Sequence, residues 1–530
     1  MNNIKFLISS SGTLLSICFF LLSSCNYNLP ENYNWTQYRN DAGRTGYSAQ
    51  QLSGNLAPRW IYNFAIPDKS WNGVDTRMIF DHAYHPVIAG KILYVGNSKD
   101  NKIYALDRKT GDIIWTFYTE GPVRFAPAVY KNRLYAVSDD GYLYCLNKQN
   151  GKLIWKKYGS PKEDLIIGND KIISRWPARG GLVIKDGILY FGAGIWPSEK
   201  IFIYALNPDN GDVLWENNSS GEIEMPQPHP TAVAKSGISA QGYFTIGGSK
   251  LFIPTGRAVP AALDLKSGEM EYFHLQQYRN IGGASIMATD SFLFVPSGNS
   301  RDMNIISGPN FALFNNNDGS IIQTEIKSEA IAISPEYIYC VNNENNHIEA
   351  YSTKNIITTK ETLDRRGETV SYKVLSDPVW SAEILKDNVK SLIVTKNRLI
   401  AGTSTEKVLI FDSTDGRLVS SYKVNGVPMG LAVAHKALFV STDKGVLYCF
   451  DENYGRPPKV HSNEFIKLHF DSDSDCIKIA DNIIKESDVN KGYCLDIECG
   501  DGSLIYELAR KTNLKIIALT NDEKNIFNLR

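Results

Sequence analysis

Short apolar strands alternate with polar, glycine-containing turns along most of the chain. The clearest copies are KIYALDRKTGDIIW at residues 102–115, YLYCLNKQNGKLIW at 142–155 and FIYALNPDNGDVLW at 202–215. Each copy has an apolar strand, an Asp or Asn, a turn that ends in Gly, and a second strand that contains Trp. Alternating apolar and polar residues on both sides of such a turn predict two antiparallel strands with one packed face.

The same phrase recurs in weaker form further along the chain. These copies are VPAALDLKSGEMEYF from residue 259, NFALFNNNDGSIIQ from 310, HIEAYSTKN from 347, KVLIFDSTDGRLVSSY from 407 and VLYCFDENYG from 446. Additional hairpin patterns, such as PVIAGKILYVGN and LVIKDGILYFGAG, precede the copies. Units of several strands that repeat every 40–60 residues or so are typical of propeller blades. We therefore predict an all-β fold with eight blades, and seven blades are the alternative.

The two ends of the repeat predict how the ring of blades closes. After the copy at 446–455, Pro457 and Pro458 prevent a further ladder strand, so the last unit lacks its outer strand. Near the start, LAPRWIYNFAI places Trp60 as DIIWTFYTE places Trp115, yet no repeat precedes it. We predict that this N-terminal strand completes the last blade, which would remove the open sheet edges.

The residues of the repeated turn have separate roles. The Asp carboxylate caps the turn backbone, and Gly takes the positive φ that a side chain resists. Trp115, Trp155 and Trp215 are expected to cover the turn of a neighbouring blade. Cys145 and Cys449 occupy the strand position that Ala takes in IYALD, which predicts small buried sites rather than a redox or metal centre.

Composition and charge agree with a packed β protein. The 530 residues include 28 Tyr, 9 Trp and 41 Gly, and only 21% are charged, which favours packed strands over helices or disorder. The net charge of −1 gives no indication of a nucleic-acid partner.

The N-terminus has the pattern of an export signal. Lys5 precedes an apolar stretch from Phe6 to Leu22, and small residues then lead to Cys25. A weakly basic start, an apolar core and small residues before a cut site predict a secretory signal peptide. The ending on Cys resembles the bacterial lipoprotein signal, which implies lipidation of Cys25. Asn26 stands where that class places Asp for inner-membrane retention, so we expect an outer-membrane anchor; an uncleaved anchor helix is the alternative.

The repeated phrase resembles the quinoprotein-like repeat over roughly residues 34–456. That resemblance implies an eight-bladed propeller. In the quinone dehydrogenases of this class, the site carries two adjacent cysteines over pyrroloquinoline quinone (PQQ), and no Cys-Cys occurs in this chain. The non-enzymatic relatives are propeller lipoproteins of outer-membrane assembly, which bind partners. Arg124, Arg179 and His229 could bind an anionic ligand in the channel, or could pair with carboxylates at blade junctions.

A different pattern follows the repeat. CIKIADNIIKES has apolar residues at helical spacing, and GYCLDIECGDGSLIYELAR from residue 492 predicts a strand, a Gly-rich turn and a helix. This stretch resembles the class I S-adenosylmethionine (SAM) methyltransferase motif, and a group of bacterial propeller proteins carries such a segment. The resemblance implies SAM binding by Asp496, Gly500, Asp501 and Gly502. Glu498 replaces the first motif Gly, and the residues that follow suffice for only part of the parent fold.

Together these patterns predict a leader at 1–25, a propeller at 34–456, a linker with a short helix at 457–490 and an incomplete α/β methyltransferase-like fragment at 491–530. The leading hypothesis is an exported, lipid-anchored scaffold that binds an envelope protein, or a small ligand in its channel, without catalytic residues, a metal or PQQ. The alternatives are a SAM-dependent methyltransferase fused to a propeller and a PQQ-dependent dehydrogenase.

Overall fold

A computed structural model shows a predominantly β molecule. It describes residues 33–71, 78–226, 231–256, 258–274, 281–297, 310–326, 328–342, 345–363, 366–384, 387–452, 455–462 and 474–529. Cys25 and the leader lie outside these residues. No helix within the described ranges is long and apolar enough to cross a membrane.

Among the described residues, eight sheets have four or five strands, numbered here in chain order. Sheet 1 contains the strands Val87–Ala89, Ile92–Asn97, Lys102–Asp107 and Ile113–Tyr118, and sheet 2 contains Ala128–Tyr130, Arg133–Val137, Tyr142–Asn147 and Leu153–Tyr158. Sheet 3 contains Gly180–Lys185, Ile188–Ala193, Phe202–Leu206, Val213–Asn217 and Gly242–Tyr243. Sheet 4 contains Thr245–Gly247, Lys250–Thr255, Ala258–Asp264 and Met270–Tyr272.

Sheets 5 to 8 repeat this arrangement, and sheets 7 and 8 each add one parallel edge strand. Sheet 5 contains Met287–Ala288, Phe292–Ser297, Asn310–Asn315 and Ile321–Ile326, and sheet 6 contains Ile331–Ile333, Tyr337–Asn342, His347–Ser352 and Trp380–Glu383. Sheet 7 contains Val389–Thr395, Arg398–Thr403, Lys407–Asp412, Leu418–Lys423 and Tyr47–Ser48. Sheet 8 contains Pro428–Ala434, Ala437–Thr442, Val446–Glu452, Leu56–Asn63 and Lys459–Ser462. Every copy of the repeated phrase supplies the third strand of one sheet, and in sheets 1 to 5 and 7 it also supplies the fourth.

The predicted closing strand is confirmed. Leu56–Asn63 pairs antiparallel with Val446–Glu452, and Trp60 lies opposite Cys449. One strand was not predicted: Lys459–Ser462 pairs parallel with the outer side of Leu56–Asn63. The third strand of sheet 8 ends at Glu452, before the two prolines, and residues 459–462 after them pair with the other side of the N-terminal strand.

The cores between neighbouring sheets form an unbroken series. Buried apolar side chains join sheets 1, 2 and 3 in one cluster, and further clusters join 3 with 4, 4 with 5, 5 with 6, and 6 with 7. A last cluster joins sheets 7, 8 and 1, so the first and last sheets of the chain are packed against each other. Burial of these faces in succession is the packing of a β-propeller.

The predicted turn chemistry is also confirmed. In sheet 1, the Asp107 carboxylate accepts hydrogen bonds from the amides of Lys109 and Thr110, both at 2.9 Å, and Gly111 has φ +75°. Trp115, Trp155 and Trp215 lie over the turn glycines of the next sheet, at 151, 211 and 268. Cys145 and Cys449 are buried in their strands, as expected.

The strand order gives the propeller two different ends. Turns between the first and second strands, and between the third and fourth, lie at one end, which we call the hairpin end. Turns between the second and third strands, and the links from one sheet to the next, lie at the other, the connection end. Extra hairpins Leu165–Gly168 with Lys171–Ser174 and Glu224–Pro226 with Val233–Lys235 are inserted in links at the connection end, and Ile357–Leu363 with Thr369–Leu375 is inserted at the hairpin end.

The residues after the propeller form a small α/β unit. It contains helix Ser474–Ser487, strand Lys491–Ile497, helix Ser503–Lys511, strand Asn513–Leu519 and helix Glu523–Leu529. The two strands are parallel, and Asp496 lies opposite Ala518. The helix predicted around residues 476–487 and the strand–turn–helix order after it are both present.

Candidate functional site

A partly buried segment at the start of the described chain contacts all eight sheets in order. We call Tyr33–Gln50 the N-terminal arc. Its backbone or a side chain hydrogen-bonds the end of the first strand, or the turn just after it, in every sheet. The partners are His435 and Ile88 in sheets 8 and 1, Val129, Ile184, Ile246, Ala288, Ile333 and Val394 in sheets 2 to 7, and Val433 in sheet 8 again. These partners all lie at the hairpin end, so the N-terminal arc closes the channel there.

Two arginines of the N-terminal arc donate hydrogen bonds to backbone carbonyls on opposite sides of the channel. Arg44 is fully buried; its Nε donates to the carbonyl of Phe244 at 2.9 Å and its Nη2 to the carbonyl of Leu182 at 2.8 Å. Arg39 donates to the carbonyls of Ile331 at 2.6 Å and Leu392 at 3.1 Å on the opposite side. The two guanidiniums thus supply hydrogen-bond donors to backbone carbonyls in sheets 3, 6 and 7 and at Phe244, just before sheet 4.

Burial shifts the titration of these groups without neutralising the arginines. It lowers the pKa of Arg44 to about 10, so the guanidinium stays charged at neutral pH. Burial also raises the pKa of Asp41, against the hydrogen bonds that its carboxylate accepts from the Thr45 amide and hydroxyl. The N-terminal arc is therefore a satisfied structural network rather than an open anion site.

Above the N-terminal arc lies a cavity of about 420 Å³. Tyr38 and Arg39 form its floor, and side chains from sheets 5, 6 and 7 and from the link before sheet 1 form its walls. Its lining is mainly apolar, with residues such as Phe80, Met287 and Leu392. A largely apolar cavity of this volume with a few polar groups is in the range of small-molecule sites.

Polar side chains also line the cavity, and some of them are paired. Glu329 and Lys390 form an ion pair between sheets 6 and 7. His82 and His85 are buried, and this lowers their pKa values to about 4 and about 3. Both imidazoles are therefore neutral at pH 7. The sequence pattern predicted none of these residues as part of a site, because they lie in links between sheets and at strand starts, where no motif recurs.

The arginines proposed as ligands for an anion are paired instead. The Asp139 carboxylate is contacted by Arg124 Nε at 2.6 Å and by Arg179 Nη2 at 2.8 Å, and Arg124 also reaches Asp81 at 2.9 Å. All four side chains are at most 2% exposed. The alternative of pairing at blade junctions is thus confirmed, and the anion-site hypothesis for these two arginines is wrong. His229 lies outside the described residues.

This ion-pair cluster titrates only in strong acid. Burial alone would raise the pKa of Asp139, but the charges of Arg124 and Arg179 outweigh burial and lower it to about 2. The carboxylate therefore stays ionised throughout the physiological range. The cluster joins sheets 2 and 3 to the link before sheet 1 at the connection end.

The C-terminal turn has part of the geometry of a cofactor loop. Gly500 and Gly502 have φ of +57° and +88°, and Gly502 directly precedes the helix Ser503–Lys511. Asp501 accepts a hydrogen bond from the Ser503 amide at 3.0 Å, which lowers its pKa. Glu498 also has a positive φ, +67°, at the position where the motif has its first Gly. Only the backbone of the turn follows the motif there.

The second strand does not supply the acid that would hold a ribose. Thr520 stands at that position, and Asp522 two residues later accepts the Lys524 amide at 2.9 Å, which caps the last helix. Leu495, Ile497 and Leu519 are exposed on one face of the two strands. The turn thus fits a nucleotide-like cofactor in shape, whereas the residues present do not fit the rest of the SAM site.

The part of the chain that the structure describes contains no cluster of three or more His, Cys, Asp or Glu side chains that could hold a metal ion. No disulfide joins the six cysteines within the described ranges.

The profile of one protein family, described as outer membrane protein assembly factor BamB, matches residues 57–225 and 362–458, which together make up half of the chain. The chain belongs to this family. No curated protein matches it in sequence.

Solved structures share the fold at low sequence identity. The quinohemoprotein alcohol dehydrogenase ADHIIG from Pseudomonas putida HK5 has a TM-score of 0.52 at 11% identity, with 86% of each chain covered. That of Comamonas testosteroni has 0.50 at 13%, covering 80% of this chain and 81% of the other. A europium-containing methanol dehydrogenase has 0.51 at 13%, covering 79% and 98%. These similarities show a PQQ-type propeller fold and nothing about activity.

Proposed function

We propose that this chain is a lipid-anchored, eight-bladed propeller that binds a protein partner at the cell envelope as a scaffold. The family match carries the proposal, because the family is described by a role in outer-membrane protein assembly. The sequence adds a lipoprotein-type signal that ends at Cys25. We propose a leader at 1–25, a propeller at 34–456, a linker with a short helix at 457–490, whose first strand extends sheet 8, and a methyltransferase-like fragment at 491–530, called the terminal unit below.

Three observations support eight blades over seven. The described residues form eight sheets of four or more strands, the packed clusters run in succession from sheet 1 back to sheet 1, and the N-terminal arc contacts eight first strands in turn. A seven-bladed ring would leave one of these sheets outside the series.

Lipidation of Cys25 is tested by metabolic labelling. Cells that express the full chain are given a radiolabelled or clickable fatty acid, and the purified protein is examined for label. We expect label on the natural chain and none on Cys25→Ser. Cys18→Ser, which changes the other cysteine of the leader, is the matched control and should keep the label. Label that persists in Cys25→Ser would contradict the anchor.

Partner binding is tested by site-specific photo-crosslinking in cells. A photoreactive amino acid replaces Trp196, which lies at the connection end and is 51% exposed, or Lys156, which is exposed on the outer strand of sheet 2. We expect a defined adduct with an outer-membrane protein from position 196 and none from position 156. Equal adducts from both positions, or no adduct from 196, would contradict a scaffold that presents its connection end.

A SAM-binding role is the second candidate because the terminal unit has the parallel strands and glycine turn of that class. Calorimetric titration of SAM into the full chain tests it, with Gly500→Val as the control. The scaffold hypothesis predicts no heat of binding. A saturable heat that Gly500→Val abolishes would favour the methyltransferase hypothesis, with Asp496, Gly500, Asp501 and Gly502 as its cofactor residues.

We also propose that the channel holds no PQQ, since the adjacent cysteine pair of the dehydrogenases is missing from the sequence. Dye reduction with an alcohol, PQQ and Ca²⁺ is the test. Activity that depends on added PQQ would restore the dehydrogenase alternative.

A further inference from the structure

The N-terminal arc fixes where the chain emerges from the propeller. The Tyr33 carbonyl accepts a hydrogen bond from the His435 amide at 3.0 Å, and the Asn34 side chain accepts one from the Gly90 amide at 2.9 Å. Both donors lie at turns between first and second strands, next to the channel. The polypeptide that connects the propeller to Cys25 therefore leaves from the hairpin end, close to the propeller axis.

Only seven residues separate Cys25 from Tyr33. A chain spans at most about 3.6 Å per residue whatever its conformation, so eight Cα-to-Cα steps reach no more than roughly 29 Å. The strands of a sheet are about 4.8 Å apart, so a path from the first strand to the outer edge of a four-strand sheet takes about 14 Å. A path along a six-residue strand to the other end takes a further 20 Å or so. The tether is too short for both.

We infer that the hairpin end of the propeller faces the bilayer surface and that the connection end, with the cavity, two of the three extra hairpins and the terminal unit, points away from it. This inference rests on the proposed lipid anchor at Cys25. It assigns the two ends to different partners: lipid headgroups lie next to the turns around Gly90 and Gly111, and protein partners meet the connection end.

Two further contacts place the terminal unit on the side away from the membrane. Asp170, in an extra hairpin of the connection end, accepts a hydrogen bond from the Tyr493 hydroxyl at 2.9 Å and pairs with Lys515. Lys171 of the same hairpin donates to the carbonyls of Ser98 and Lys99, which lie between the second and third strands of sheet 1. The hairpin and the terminal unit thus share one end of the molecule.

Energy transfer between a dye and the bilayer tests the orientation. The full lipidated chain carries Cys476→Ser and Cys494→Ser, because these two thiols are partly exposed and would react with the dye. The other four described thiols are buried. A donor dye is attached at Lys109→Cys at the hairpin end or at Lys162→Cys at the connection end, both exposed. The protein is reconstituted in phosphatidylcholine–phosphatidylglycerol vesicles that contain a headgroup-labelled acceptor lipid.

We expect transfer from position 109 to be at least about twofold more efficient than from position 162, given a separation of the two ends of about 20 Å or more. Equal transfer, or more efficient transfer from position 162, would overturn the orientation while leaving the anchor intact. Insertion of a 30-residue Gly-Ser linker after Asn28 should remove the difference, because it lengthens the tether beyond the reach of the argument. If the natural chain does not float with vesicles at all, the anchor itself fails, and the orientation fails with it.

Discussion

The indole of Trp60 lies over Gly111, so that a Cβ at Gly111 would be 2.8 Å from Trp60 Cδ2. Trp60 Nε1 donates to the carbonyl of Arg108 in the same turn at 3.0 Å. Trp115 makes the same contacts with the next turn, at Gly151 and Lys148. The strand from the start of the chain therefore joins the last sheet to the first with the contact that neighbouring sheets repeat.

Removal of that indole should destabilise the whole propeller. Trp60 is fully buried, and Trp60→Ala is expected to lower the free energy of unfolding by about 3–5 kcal/mol. Urea denaturation followed by circular dichroism measures it. Trp196→Ala, at a half-exposed indole, is the control and should change the free energy by less than about 1 kcal/mol. Similar losses in both variants would contradict the closing role of Trp60.

Two glycines separate backbone strain from the tryptophan contact. Gly90 and Gly151 have φ of +62° and +70°, but a Cβ at Gly90 meets nothing within 4 Å, whereas one at Gly151 would lie 2.6 Å from Trp115. Gly90→Ala should cost about 1–2 kcal/mol from φ alone. Gly151→Ala should cost about 1–3 kcal/mol more, because the indole must move. Thermal or urea unfolding of the two variants measures the difference, and equal costs would show that the indole does not press on the turn.

The buried ion-pair cluster predicts a pH-dependent loss. Asp139→Asn leaves the Arg179 guanidinium buried without its carboxylate and should cost about 3–5 kcal/mol at pH 7. Since the folded pKa of Asp139 is lowered from 3.8 to about 2, the wild-type advantage is present above pH 4 and declines as pH falls from about 4 to about 2. Urea unfolding of both proteins across that range measures it. Asp209→Asn, which breaks the exposed pair with Lys131, is the control and should change nothing measurable.

The cavity histidines predict a second acid dependence at higher pH. Burial lowers the pKa of His85 from 6.5 to about 3, and the positive charge of Arg39 acts in the same direction. Below pH 6.5 this histidine is therefore protonated in the unfolded state but remains neutral in the folded state. The free energy of unfolding falls as pH drops from 6.5 towards 3. The slope per histidine is about 1.4 kcal/mol per pH unit. His85→Asn should reduce the slope of unfolding free energy between pH 6 and 4.5 by about that amount; an unchanged slope would contradict a buried neutral imidazole.

The sequence predicts the parts of this fold that depend on local chemistry. Residues of the types found at Asp107, Gly111 and Trp115 recur with fixed spacing, because each turn needs a capping carboxylate, a residue with positive φ and a large apolar side chain over it. The strands, the turns and the pairing of the Trp60 strand with the last sheet can therefore be predicted. The role of the N-terminal arc could not be predicted, because Arg44 bonds Phe244, 200 residues away, and no local pattern records such a partner.

The candidate sites were less predictable for the same reason. Arg124 and Arg179 meet at Asp139 only when sheets 2 and 3 pack against each other, and the sequence around a basic residue does not indicate which carboxylate it pairs with. The cavity is lined by links between sheets, whose sequences differ from one unit to the next. Glu498 shows the converse case: the motif predicts Gly there, and the backbone keeps the left-handed conformation although the residue has changed.

The central claim, a ring closed by the N-terminal strand, is tested most directly by a disulfide between two positions that face each other across that closure. Ala57 lies opposite Asp451. Asp412 has the same position in the repeated phrase of sheet 7 that Asp451 has in the copy of sheet 8, and each aspartate pairs with an arginine. The pair Ala57→Cys with Asp412→Cys is therefore a matched control. On mild oxidation of the folded protein, we predict rapid cross-linking of 57 with 451 and none of 57 with 412. Cross-linking of 57 with 412, or failure of the 57–451 pair in folded protein, would contradict the closed ring.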